Sequence, residues 1–242
     1  METTDDAILG GRLKLLQPKA GHRAGHDAIL LAAAAPKANL VLDLGAGVGT
    51  AGLALLARKA ASMVTLVEID AELSGLSSQN ANRNGFADTA RILHGDITND
   101  LPLQMDAYDL VIMNPPFNDA DTQRASPNAS RAQAHVTDAS AVDRWISRAS
   151  RHLKAGGALT IIHRPEATLP ILKSLDGRFG AIEILPVFPK PESAAIRLIV
   201  RAIKGRKTPT QMLPGITLND NNGKPSAIAE RILRDGASIF GD

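Results

Sequence analysis

Runs of strand length, apolar on both faces, alternate with helical patterns along most of the chain. The first is "NLVLDLGAG" (39–47), and "TAGLALLARKA" behind it has helical spacing. "SMVTLVEID" (62–70) predicts a second strand, followed by a helix over "AELSGLSSQNANRNG" that Gly85 would stop by taking the left-handed conformation at its end. "TARILHGD" (89–96) and "YDLVIMNPP" (108–116) supply strands three and four. "ALTIIHR" (158–164), "AIEILPVFP" (181–189) and "AAIRLIVRAIK" (194–204) complete seven, with helices over "DASAVDRWISRASRHLKAGG" and "EATLPILKSLDG" in between. Asp138 is a natural N-cap for the first of these helices and Gly156 its stop. The polar stretch 118–137 before it lacks convincing periodicity and reads as a loop. Alternation of this kind builds a mostly parallel sheet with helices on both faces. Only "KPES" joins strands six and seven, too few residues for a crossover, so the last strand is expected to run antiparallel.

Composition narrows the class of protein without naming a chemistry. At 242 residues the chain suits a single α/β domain, divided into a leader helix region (1–36), a core (37–204) and a loose C-terminal tail (205–242). There is no Cys, which excludes disulfides, thiolate-bound zinc, iron–sulfur clusters and thiol catalysis. The longest apolar run, "AILLAAAAP", is too short to span a bilayer, and "METTDDAILGGRLK" lacks the pattern of a secretory signal, so a cytoplasmic location is expected. Net charge is only +2, but Arg144, Arg148, Arg151 and Lys154 recur at helical spacing, and Arg197, Arg201, Lys204, Arg206 and Lys207 follow. Such rows are either solvated faces or surfaces for phosphate.

Candidate chemistry begins at "LDLGAGVGTAGLALL", a strand, a Gly-rich turn and a helix start, which allow a nucleotide to approach the backbone closely. Gly47, Gly49 and Gly52 satisfy G-x-G-x-x-G, and Glu68 falls where a dinucleotide enzyme places its ribose-binding acid, so NAD binding remains open at this point. Asp43, however, precedes the glycines within the strand, and "DLGAGVG" resembles the first signature of Rossmann-like S-adenosylmethionine-dependent methyltransferases. The resemblance implies that the turn meets the methionyl end of the cofactor, Glu68 receives the ribose hydroxyls and Asp96, in "HGD", the adenine amino group. The implied cofactor set is Asp43, Gly45, Gly47, Gly49, Glu68, Ile69, Asp96, Ile97 and Asn114.

"IMNPPF" (112–117) then places an Asn, two prolines and an aromatic directly after strand four. Prolines alone would merely stop a strand. A ring-attached amino group is a poor nucleophile because its lone pair is delocalised, and two acceptors gripping its N–H groups would favour a more tetrahedral nitrogen. Asn114 offers a side-chain carbonyl and Pro115 a backbone carbonyl, while Phe117 can stack on the base. Chance occurrence of Asn-Pro-Pro-aromatic in such a chain is on the order of one in a thousand at typical residue frequencies. With "DLGAGVG", "VEID" and "HGD" in order, the chain resembles amino-methyltransferases with this signature. The leader "LQPKAGHRAGHDAILLAAAA" (16–35) and the late "IKGRKTPTQMLPGITLND" are similar to those of bacterial tRNA adenine-N6 methyltransferases acting beside the anticodon of valine tRNA. Methylation of adenine N6 in RNA, chiefly tRNA, is the implied activity, with Asn114, Pro115 and Phe117 catalytic. Guanine-N2 methylation of ribosomal RNA, glutamine-amide methylation of protein and a noncatalytic binding role stay open here. His22 and His26, four apart, lack a third ligand and are not expected to hold a metal; Asp27 is expected to close the cofactor pocket, and Arg124, Arg131 and His135 offer cations beside the base.

Overall fold

The computed structural model describes residues 2–20, 25–99, 101–116 and 129–241, with backbone only across 129–139. Phe117, His22, Arg124 and the side chains of Arg131 and His135 lie outside the described residues. The chain opens with a hairpin of β1 (Thr3–Ile8) and β2 (Leu13–Pro18), followed by α1 (His26–Ala34). The leader is therefore a strand pair before it is a helix. Leu13 and Leu15 alternate with exposed or half-buried neighbours, and Gly10 and Gly11, both at positive φ, make the turn; period two and paired glycines are hairpin signals.

The alternating core follows as β3 (Ala38–Leu44), α2 (Thr50–Ala57), β4 (Ala61–Glu68), α3 (Ala71–Arg83), β5 (Ala90–His94) and β6 (Tyr108–Met113). Next come α4 (Ala129–His152), β7 (Leu153–His163), α5 (Thr168–Leu175), β8 (Phe179–Phe188) and β9 (Arg197–Lys204). Two short strands, β10 (Gln211–Met212) and β11 (Ile216–Thr217), and α6 (Ala227–Leu233) end the fold. The main sheet runs β5-β4-β3-β6-β7-β9-β8, a Rossmann-like order, with β10 and β11 both pairing with β8 in parallel. All seven long strands are parallel except β9, which is antiparallel to β7 and β8 as its short connection requires. Among the described residues the sheet thus has nine strands where seven were expected, because the tail adds two.

Period-two alternation sends neighbouring side chains to opposite faces. Val41, Leu110 and Ile112 join a core with the hairpin, α1, α2 and α6; Leu42, Val111 and Met113 join a second core with α4 and α5. Helix α4 begins well before Asp138, which lies inside it and is no N-cap. Its first turns, "ASRAQAH", are rich in strong helix formers without an apolar stripe, so periodicity alone misses them. Nor is the tail loose: Ala229 and Ile232 are buried, Ile239 N donates to Ala33 O at 2.9 Å and Arg58 Nε to Gly236 O at 2.6 Å. Among the described residues no helix is long and apolar enough to cross a membrane.

Candidate active site

Register brings the chemistry to one edge. Leu44 pairs with both Val67 and Met113, so Gly45, Glu68 and Asn114 emerge level at the carboxyl ends of three adjacent strands. A cavity of about 740 Å³ opens there, at the point where the strand order reverses and such folds bind ligands. Asp43, Gly45, Gly47, Glu68 and Ile69 line it from the β3–β4 side, and Asn114, Pro115 and Pro116 from its middle. Ile196, Arg197 and Leu218 line it on the β9–β11 side, with His26 and Asp27 contributed by α1. Asp27 meets Arg197 Nε at 2.7 Å, tying the start of α1 to the start of β9 across the cavity wall.

The glycine turn is built for close approach. Gly45, Gly47 and Gly49 all have positive φ, where a Cβ costs energy. A Cβ on Gly45 would stand 2.4 Å from Cη2 of Trp145, the single Trp of the chain, whose indole lies against the turn and lines the cavity. Sequence reasoning passed over Trp145, although an isolated aromatic in an aromatic-poor chain was a signal. A Cβ on Gly52 would collide with Leu66 and Val64, so glycine there lets α2 pack directly on the sheet.

Two carboxylates organise the same turn. Asp43 is buried, and its Oδ2 accepts from Gly52 N at 2.9 Å. Burial pushes its pKa up to about 7, against the Gly52 N–H, which lowers it, and with a further rise from the neighbouring Glu68 charge. Glu68 accepts from Gly47 N at 2.7 Å through Oε2 and from Asp70 N at 3.0 Å through Oε1. It fixes the turn's shape while its carboxylate borders the cavity.

The side-chain carbonyl oxygen of Asn114 is buried with no hydrogen-bond partner among the described residues. A buried acceptor without a donor is costly and points to an absent partner. Asp96 and Ile97 stand apart from this group. Neither is among the lining residues; Ile97 packs in the α4–α5 core, and Asp96 Oδ1 accepts from Thr98 N at 2.8 Å, a contact that leads in holding its pKa below the ordinary carboxylate value. Gly49 caps α2 rather than facing the cavity. Leu218, from the tail, was not foreseen; strand pairing of β11 with β8 brings it there, and no local pattern announces it.

Comparison with known proteins points to one family. A model of the methyltransferase small domain matches residues 24–187. The tRNA1(Val) (adenine(37)-N6)-methyltransferase of Enterobacter sp. (strain 638) is 31% identical over 150 residues, 60% of each chain. Its namesake in Pedobacter heparinus is 32% identical over 142 residues, 58% of this chain and 59% of that one. The match thus spans about three fifths of these curated relatives. The crystal structure of a predicted O-methyltransferase, protein Atu636 from Agrobacterium tumefaciens, superposes with a TM-score of 0.71 at 27% identity, covering 85% of this chain and 94% of that one.

Proposed function

Because the chain belongs to the methyltransferase small domain family, we propose that it is a cytoplasmic S-adenosylmethionine-dependent enzyme that methylates the exocyclic N6 amine of adenine in tRNA. The observation that carries the reading is the buried carbonyl oxygen of Asn114 in the middle of the cavity, which has no partner among the described residues.

The residues present fit the cofactor. When bound, S-adenosylmethionine supplies an electrophilic methyl group on a sulfonium that is itself the leaving group. Asp43 offers a carboxylate whose ionisation a nearby cation would favour, and Glu68 an acid already oriented by two backbone N–H groups beside the turn. A Cβ on Gly47 would meet nothing within 4 Å, leaving the turn open on that side. Ile69, 62% exposed, presents an apolar face suited to a purine.

Asn114 stands just past the end of β6, between the β3–β4 half of the cavity and the β9–β11 half. An adenine amine entering from the second half would donate one N–H to Asn114 Oδ1 and the other to the Pro115 carbonyl. Gripped in this way, the nitrogen keeps its lone pair directed at the methyl group, and the extra proton leaves to solvent afterwards. Rate comes from alignment and fixed acceptors rather than from a base. The same feature argues against a hydroxyl acceptor, which needs its proton removed, because an amide cannot act as a general base. Pro116, Ile196 and Leu218 leave an apolar surface on which a flat base can lie, and Phe117 follows directly in the chain. The tRNA adenine methylation for which these relatives are named supports adenine over guanine or a protein amide.

Replacement Asn114→Ala is the test. Affinity for S-adenosylhomocysteine is expected to stay within about threefold while turnover falls about a hundredfold or more, as for loss of a preoriented transition-state contact. Parallel loss of both would contradict the role given to Asn114.

A further inference from the structure

Asn80 sits on α3, away from the lining of the cavity, and is fully buried. Its Oδ1 accepts from Leu16 N at 2.7 Å, and its Nδ2 donates to Leu16 O at 3.0 Å and to Val48 O at 3.0 Å. One turn later Asn84 repeats the first half of this pattern: Oδ1 accepts from Lys14 N at 2.9 Å, and Nδ2 donates to Lys14 O and to Asn80 O, each at 2.7 Å. The match is geometric. Two residues of strand rise by roughly 6.6 Å and four residues of helix by roughly 6 Å, so asparagines at i and i+4 meet alternate residues of an extended strand. The β2 edge turned away from β1 is thereby completed by side chains of a helix.

The two asparagines differ in one contact. Only Asn80 also reaches Val48, which lies between Gly47 and Gly49 and lines the cavity. Its amide has one orientation compatible with a backbone N–H on one side and two carbonyls on the other, so the bond to Val48 is a donated N–H. We infer that Asn80 is a positioning residue for cofactor binding, holding the glycine turn through Val48 O and linking that turn to the N-terminal hairpin. This rests on the reading of the turn as the cofactor site.

Variants Asn80→Ala and Asn84→Ala separate positioning from plain support. Both lose the clamp on the hairpin and are expected to melt lower than wild type. Only Asn80→Ala strands Val48 O, so it is expected to weaken S-adenosylhomocysteine binding about tenfold, with turnover at saturating cofactor within about threefold of wild type. In Asn84→Ala the affinity stays within about twofold. Amide hydrogen exchange across 45–53 is expected to quicken in Asn80→Ala and to match wild type in Asn84→Ala. Should Asn80→Ala not fold, Asn80→Ser, whose hydroxyl is too short to span the same partners, is read in the same way. Equal affinities and equal exchange in the Asn80 and Asn84 variants would overturn the inference. If wild type itself fails to bind S-adenosylhomocysteine, the function proposed above falls, and the exchange comparison still decides whether Asn80 holds the turn.

Discussion

Asp43 is the residue on which fold and binding oppose each other most directly. Its carboxyl, with a pKa near 7 in the fold and 3.8 ordinarily, keeps a proton between those values that an unfolded chain has released. Stability therefore falls as pH rises from about 4 to about 7 and levels off above, by an amount on the order of a few kcal/mol. A cationic ligand beside Asp43 reverses the preference and favours the carboxylate. Cofactor binding at pH 6 is accordingly expected to release a proton, with affinity rising toward pH 7. Calorimetry in two buffers of different ionisation enthalpy measures this directly, and Asp43→Asn should erase the difference. Identical heats in both buffers for the wild-type chain would show that Asp43 does not sense the ligand.

Among the elements, α4 is the one whose contribution to the site depends most on contact with another. It carries Trp145 onto Gly45, so this helix and the glycine turn share a surface. Emission from this single tryptophan is expected to change as S-adenosylhomocysteine binds, and Trp145→Phe should abolish the signal. Gly45→Ala, which adds both a Cβ overlap and a cost at positive φ, should weaken binding by about tenfold or more. Binding seen by calorimetry without any change in emission would place the ligand away from Trp145. The seven long strands were legible because their apolar runs are dense and the glycine and proline signals between them are strong. The cavity-lining positions of Asp43, Glu68 and Asn114 were legible for a related reason: each stands just before, at or just after a strand end, where a local motif marks it. What stayed hidden depends on contacts between distant segments. The hairpin was obscured by a leader read through its helical half, the start of α4 has propensity but no apolar stripe, and Asn80 acquires its meaning only when β2 packs beside α3. Asp96, expected at the adenine amino group, accepts from Thr98 N in the following turn, a contact that no motif announces.

For the whole molecule, two cores hold the sheet from both faces and leave its carboxyl edge open, so the cavity is a consequence of topology before it is one of side chains. The tail extends that cavity by bringing Leu218 to the half away from the glycine turn, and the Asp27–Arg197 pair joins the first helix to the last long strand across its wall. One half suits a methyl donor, the other a flat base, and Asn114 stands between them. The decisive measurement is transfer of labelled methyl from S-adenosylmethionine to tRNA, ribosomal RNA and protein fractions, with nucleoside analysis of the labelled material. Label in tRNA as N6-methyladenosine is the expected result. Label confined to guanine or to protein, or cofactor binding without transfer to any fraction, would contradict it.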